Sequence, residues 1–382
     1  MPEKLTSPPT SKLLGLELLR FVAAFAVLIW HYQHFAYVAD KAVGLTRTSL
    51  PLYGLLQPFY EVGEYGVWLF WCISGYIFFW KYRDTIHDRT TDGWTFFVLR
   101  LSRLYPLHLA TLALVAILQP IYFHLNGYFF VYQDNDIRHF LLQLVMASNW
   151  GYQSALSFDG PVWSISVEVL VYVLFFLLLR FGGKSALLNL VIIVGCVGAK
   201  GQLFTCLSFF YIGGIAAIAR RAIAPTAFRD TVDRIVWLVV VLVPLLAWMF
   251  AFYPFGWLDY ALFAYVPLVI FCLARDVKLP ARAQRLIEAA GNMTYSSYLL
   301  HFPIQLLIVV GFTSFGTPIP FYDTKFFAIF ISATLLASYL TYRYFEASAQ
   351  DFIRGRLLPW PGAAGSTRAL TAIHRRLPRG AD

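Results

Sequence analysis

Charge is scarce in this chain. Only 13% of its 382 residues are Asp, Glu, Lys or Arg, and mean hydropathy is +0.63. A soluble domain carries about 25% charged residues, so that class is excluded. Cysteine is scarce as well: Cys72, Cys196, Cys206 and Cys272 all lie in apolar runs, with no CxxC spacing. Buried free thiols fit them better than disulfides or metal ligands. Residues 182–185 read GGKS but lack the upstream glycine of a phosphate loop, and neither HExxH nor GxSxG occurs. No metal site and no bound cofactor is therefore expected. The first apolar segment contains Glu17 and Arg20 and is followed by no small-residue cleavage site, which argues for a retained span over a cleaved leader.

What the chain has in quantity is apolar runs of about 20 residues, the length that crosses a bilayer as a helix. Read against charged punctuation, they give about ten spans: 13–35, 64–81, 103–123, 162–180, 186–199, 203–219, 235–253, 257–274, 293–313 and 325–345. The expected fold class is an all-α integral membrane protein, with a membrane domain over 13–345 between a short segment 1–12 and a basic tail 346–382. Residues 141–147 are too short to cross and should lie at the interface or re-enter. With the N-terminus inside, twenty-four of the thirty Lys and Arg fall on the cytoplasmic side and five outside, with Arg20 apart. That bias places both termini in the cytoplasm of a multi-pass protein of the cell (inner) membrane. The formal charge of +9 is thus mostly a topology signal, and the Arg-rich tail is most simply a solvated segment near anionic lipid. Nucleic acid is not an expected partner, and the NMT sequon at 292–294 falls on the cytoplasmic side.

Within the first span, Arg20 and His31 are eleven residues apart, about three helical turns, so they share one face roughly 16 Å apart along the axis. Ionisable groups in a span usually face a bundle interior or a wet cavity. The simpler alternative pairs Glu17 with Arg20 at i,i+3 and lets His31 snorkel to a headgroup. In the second span, Gly63, Gly66 and Gly75 with Ser74 read as a small-residue packing seam. Arg100 and Arg103 share a face at a helix entrance, where two guanidiniums can fork onto phosphates, and Pro106 follows at a position expected in a first turn. Simple positive-inside anchoring is the competing reading of those arginines.

Trp163, Ser164 and Glu168 open a long apolar helix from the outer side, with Tyr172 one turn on. A carboxylate there costs several kcal/mol unless it is paired. Glu168 and His31 at matched depth suggest a general base oriented by a carboxylate; a helix-packing ion pair is the alternative. His301 lies beside Pro303 in the ninth span, either as a second pocket histidine or as partner to a carbonyl freed by the proline. The outer loop 124–161 holds Tyr128, Tyr132, Trp150, Tyr152, Asp134, Asp136 and Asp159, with Asn149 as a candidate polar contact. Its aromatic residues suit either sugar stacking or an interface belt.

Taken in order, these motifs resemble the membrane-bound acyltransferase-3 family: Arg20-x10-His31, GVWLFWCISGYIF, LRLSRLYPL, GPVWSISVEVLVY and TYSSYLLH. The likeness covers roughly residues 13–345. Trp68 and Val169 depart from it, standing where acidic residues are common. It implies transfer of an acyl group, commonly acetyl, from cytoplasmic acyl-CoA to a hydroxyl, as in O-acetylation of lipopolysaccharide, exopolysaccharide, another lipid-linked saccharide or a small product. It further implies donor contacts at Arg20, Arg100 and Arg103, chemistry at His31 and Glu168, and acceptor contacts at Asn149, Trp163, Ser164, Tyr172 and His301. Two other classes fit the residues alone. A secondary transporter of an anionic solute or acylated sugar would use the same polar groups, although no inverted repeat is seen. A membrane sensor or scaffold would only pack them.

Overall fold

The apolar runs are helices, and several extend well beyond their apolar stretch. The computed structural model describes residues 13–249, 257–277 and 279–358. The segment 1–12, the far end of the 235–253 run and the tail beyond residue 358 lie outside the described residues. The helices are α1 (Leu14–His31), α2 (Tyr53–Val62), α3 (Gly66–His87), α4 (Gly93–Asn126), α5 (Ile137–Leu144), α6 (Trp163–Leu177) and α7 (Ala186–Cys196). They continue with α8 (Gln202–Ile223), α9 (Arg229–Met249), α10 (Trp257–Leu273), α11 (Ala281–Asn292), α12 (Thr294–Ser314), α13 (Thr324–Thr341) and α14 (Ala347–Leu357). Seven helical stretches are long and apolar enough to cross a membrane, and α7 is a shorter apolar helix. The protein is an all-α, multi-pass membrane protein.

Two apolar clusters form the interior. One gathers Trp71, Phe79, Phe175 and Phe210 from α3, α6 and α8; the other gathers Tyr32, Phe302 and Phe330 from the end of α1, α12 and α13. Outward-facing positions such as Ile117, Leu238 and Ile329 are apolar and exposed, as a lipid-facing surface requires. The small-residue seam is real. Gly63 and Gly66 lie against the Ala26 and Ala23 carbonyls of α1, Gly75 against the Phe210 carbonyl of α8, and Gly213 against the Cys72 carbonyl. A Cβ at any of the four would strike backbone, so glycine sets how closely these helices approach. Ser74 leaves the seam and turns inward, its Oγ 3.2 Å from Tyr172 Oη.

α4 corrects one expectation. It starts at Gly93, not near residue 103, because Asp92 caps it: the Thr95 amide donates to Asp92 Oδ1 at 2.8 Å. Pro106 is therefore in the helix interior, where a membrane bundle tolerates it by supplying other partners to the backbone. α5, which contains the start of 141–147, has eight residues and cannot cross. Asp136 caps it, accepting from the His139 amide at 2.9 Å. At the basic end, buried Asp233 on α9 joins Arg220 of α8 and Arg275 just past α10, each at 2.5 Å.

Candidate active site

α1, α3, α4, α6 and α12 enclose a cavity of about 150 Å³. Its polar lining is unusual for a membrane interior: Arg20, Arg100, Arg103, Glu168, Tyr172 and Ser164, with Ser74 and Tyr298 beside them. Arg20 pairs with Glu17 one turn earlier, Nη1 to Oε2 at 3.2 Å, as the spacing allows. Arg100 Nη2 donates to Tyr82 Oη at 2.7 Å, and the guanidinium lies 4.9 Å from the Phe78 ring centre. Its Nε is buried and has no hydrogen-bond partner among the described residues. Arg103 stands in the field of Glu346 and Glu17. Glu168 Oε1 accepts from Tyr172 Oη at 2.7 Å, with Arg20 and Arg100 as the cations whose charge reaches it. The simple anchoring reading of Arg100 and Arg103 does not account for this inward placement.

Beyond the cavity, toward the far end of α1, lies a cluster of imidazoles. The His31 ring centre is 4.6 Å from that of His301 and 4.9 Å from that of His34. His31 Nδ1 lies 2.8 Å from the Val27 carbonyl four residues back. A carbonyl only accepts, so Nδ1 carries the hydrogen and Nε2 keeps the lone pair. Gln305 Nε2 donates to the His31 carbonyl at 2.8 Å, fixing α12 to the end of α1. His301 Nδ1 sits 3.3 Å from the Ser297 carbonyl, and its Nε2 is buried without a partner, as is His34 Nδ1. His301 thus satisfies a carbonyl one turn down, not the one that Pro303 frees four residues before itself. Tyr298 connects the two regions: it lines the cavity, its ring centre is 5.9 Å from that of His301, and its hydroxyl is 2.6 Å from Ser164 Oγ.

The expected pairing of His31 with Glu168 is absent among the described residues. His31 is held by its own helix and meets two other histidines, while Glu168 bonds Tyr172 on the arginine side of Tyr298. The two residues share a path but not a contact. Trp163 packs edge-on to Trp71, ring centres 5.8 Å apart, and is not among the residues lining the cavity. Asn149 lies in the loop before α6, its amide donating to Ser166 Oγ at 3.1 Å and its Oδ1 accepting from Gln153 at 2.6 Å. It lines neither region.

The sequence reading did not mention Gln305 and did not expect the burial of Asp159. His34 and Gln305 complete the imidazole cluster; His34, three residues after His31, was legible as an i,i+3 neighbour. Asp159, counted with the outer-loop acids, is fully buried with neither carboxyl oxygen hydrogen-bonded among the described residues. Burial pushes its carboxyl up to about 8, against a smaller opposing pull from Thr111, so it is mostly protonated at neutral pH.

The described residues thus form a helical membrane bundle with an arginine-lined cavity and, on the far side of Tyr298, a set of imidazoles. A family model described as an acyltransferase domain matches residues 13–343, and the chain belongs to this acyltransferase-3 family. It is 28% identical over 171 residues to a protein named acyltransferase MdmB from Streptomyces mycarofaciens. That alignment takes in 44% of this chain and 39% of the relative, so the chain spans about two-fifths of the length of the curated relative it matches. No solved structure matches the chain.

Proposed function

We propose that the protein moves an acyl group, acetyl in the simplest case, from cytoplasmic acyl-CoA to a hydroxyl of a cell-surface glycan or lipid-linked saccharide in the cell (inner) membrane. The observation that carries this reading is the order of groups from one end of α1 to the other: cavity arginines, then Ser164 and Tyr298, then His31, whose Nδ1 is held by the Val27 carbonyl so that Nε2 keeps the lone pair. Arg100 and Arg103 take the donor's phosphates in charge-assisted hydrogen bonds, and Arg20 lies deeper toward the thioester. Glu168 and Tyr172 hold the polar wall between the arginines and the reacting end. Ser164, Tyr298 and His301 flank the acceptor hydroxyl, while Trp163 and Asn149 stay outside its contacts.

His31 acts as general base. Nε2 takes the hydroxyl proton as the oxygen attacks the thioester carbonyl carbon. The C–S bond then breaks, and the leaving thiolate recovers that proton from the imidazolium. In a two-stage variant His31 Nε2 attacks the thioester carbonyl carbon and the C–S bond breaks to release the CoA thiolate; the acceptor oxygen then takes the acyl group from the imidazole, and its proton passes to the thiolate. The test uses purified protein in lipid with radiolabelled acetyl-CoA and a membrane saccharide fraction. Label appearing in saccharide supports the reading, and its absence with acetyl and longer acyl donors alike contradicts it.

A further inference from the structure

From the sequence, residues 346 onward read as a solvated basic tail. α14 is instead fastened to the membrane domain along its length. At its start, buried Glu346 accepts from Ser296 Oγ of α12 at 2.7 Å and from Gln350 Nε2 at 3.1 Å. At its end, Trp94 Nε1 of α4 donates to the Leu357 carbonyl at 2.8 Å. Between these points, Arg354 is half-buried against α4. Its Nε donates to Ser102 Oγ at 3.0 Å, and its Nη2 to Gln350 Oε1 at 3.0 Å and, longer, to the Leu99 carbonyl at 3.5 Å.

Ser102, next to Arg103 and two residues after Arg100, is fully buried. Its hydroxyl gives its own hydrogen to the Leu99 carbonyl at 3.3 Å, leaving its oxygen to receive Arg354. So the motif that carries two arginines also aims a third. Among the described residues no carboxylate lies within salt-bridge distance of Arg354, and its Nη1 has no hydrogen-bond partner. Arg354 instead stands in the field of Arg100 and Arg103, which Tyr82 and Asp351 oppose more weakly. Drawing like charges together in a partly buried place is unfavourable unless a polyanion occupies it. A serine and a glutamine hold the guanidinium without neutralising it, which leaves that charge for a ligand.

We propose that α14 is part of the donor site and that Arg354 binds the ribose 3′-phosphate of acyl-CoA. This rests on the reading that acyl-CoA binds at Arg100 and Arg103. Arg354 meets α4 at Leu99 and Ser102, beside the cavity-lining Arg100 and Arg103, and does not itself line the cavity. The thioester end of the donor must reach inward toward the imidazoles, which leaves the adenosine end, with its separate 3′-phosphate, on the side of Arg354.

Equilibrium binding of CoA and of dephospho-CoA, which lacks only the 3′-phosphate, to the purified full chain tests this. Wild type should prefer CoA about tenfold or more, and Arg354→Gln should weaken CoA about 10- to 100-fold and erase the preference, the scale of a charged hydrogen bond. Arg356→Gln, on the exposed side of the same helix, should bind as wild type does. An Arg354→Gln variant that keeps the preference would overturn the role of Arg354 while leaving donor binding at Arg100 and Arg103 standing. Wild type that binds neither nucleotide would overturn both. If Arg354→Gln does not fold, Arg354→Lys decides: it keeps a cation without the fork that meets Ser102, and undiminished CoA binding by it contradicts the proposal.

Discussion

At the scale of single residues, the arginines and the histidines make separable contributions. Arg100 keeps a buried Nε without a partner, and Arg103 shares the cavity wall with it. Arg100→Gln and Arg103→Gln should each raise the KM for acyl-CoA about 10- to 100-fold, with kcat falling less, since ground-state phosphate contacts are what they lose. A fall in kcat at unchanged KM would place them in the chemistry instead. Asp159 gives a pH signature. Its carboxyl titrates higher in the folded chain than in an unfolded one, where it sits near 3.9. The folded state holds a proton the unfolded state has released, so this contribution is most favourable below about pH 4 and is lost as pH rises to about 8. Asp159→Asn should therefore gain thermal stability over wild type across that window, and a constant difference would mean the group ionises normally. The motifs were legible because arginine, histidine and glutamate are rare in a span. Gln305 and the burial of Asp159 were not, since only the tertiary fold gives them company, whereas His34 follows His31 at i,i+3.

At the scale of elements, close packing and buried ion pairs hold the site's walls. Gly75 and Gly213 bring α3 and α8 into backbone contact, and α3 carries Ser74 and Phe78 of the cavity. Gly75→Ala should destabilise the protein by about 1–3 kcal/mol, the usual cost of overpacking, seen as earlier unfolding in detergent. Asp233 neutralises two arginines from different segments. Asp233→Ala should cost more, about 3–5 kcal/mol, because it strands buried charge; a melting curve like wild type's would show that water reaches the pair. Apolar runs located most helices to within a few residues. They missed the first ten residues of α4, since a helix continuing into polar surroundings is marked by its Asp92 cap and not by hydropathy. α11 and α14 were missed for a related reason: both are short and polar enough to read as connecting or tail sequence.

At the scale of the whole molecule, the distribution of Lys and Arg expects the arginine end of the cavity to face the cytoplasm. Single cysteines in a background without the native four test it. One at Thr226, between α8 and α9, should be shielded from an impermeant reagent in intact cells, whereas one at Thr317, between α12 and α13, should label. The reverse pattern would put the arginines on the side without acyl-CoA. What the fold adds to the sequence is the separation of the arginine-lined cavity from the imidazoles, with Tyr298 and Ser164 between them. It also replaces the expected His31–Glu168 pair with a histidine oriented by its own helix.

The most direct measurement is acyl transfer by His31→Ala alongside its binding of CoA. The expected result is wild-type affinity for the nucleotide with transfer abolished, because the arginines remain and the base is gone. Transfer at the wild-type rate by that variant would contradict the account.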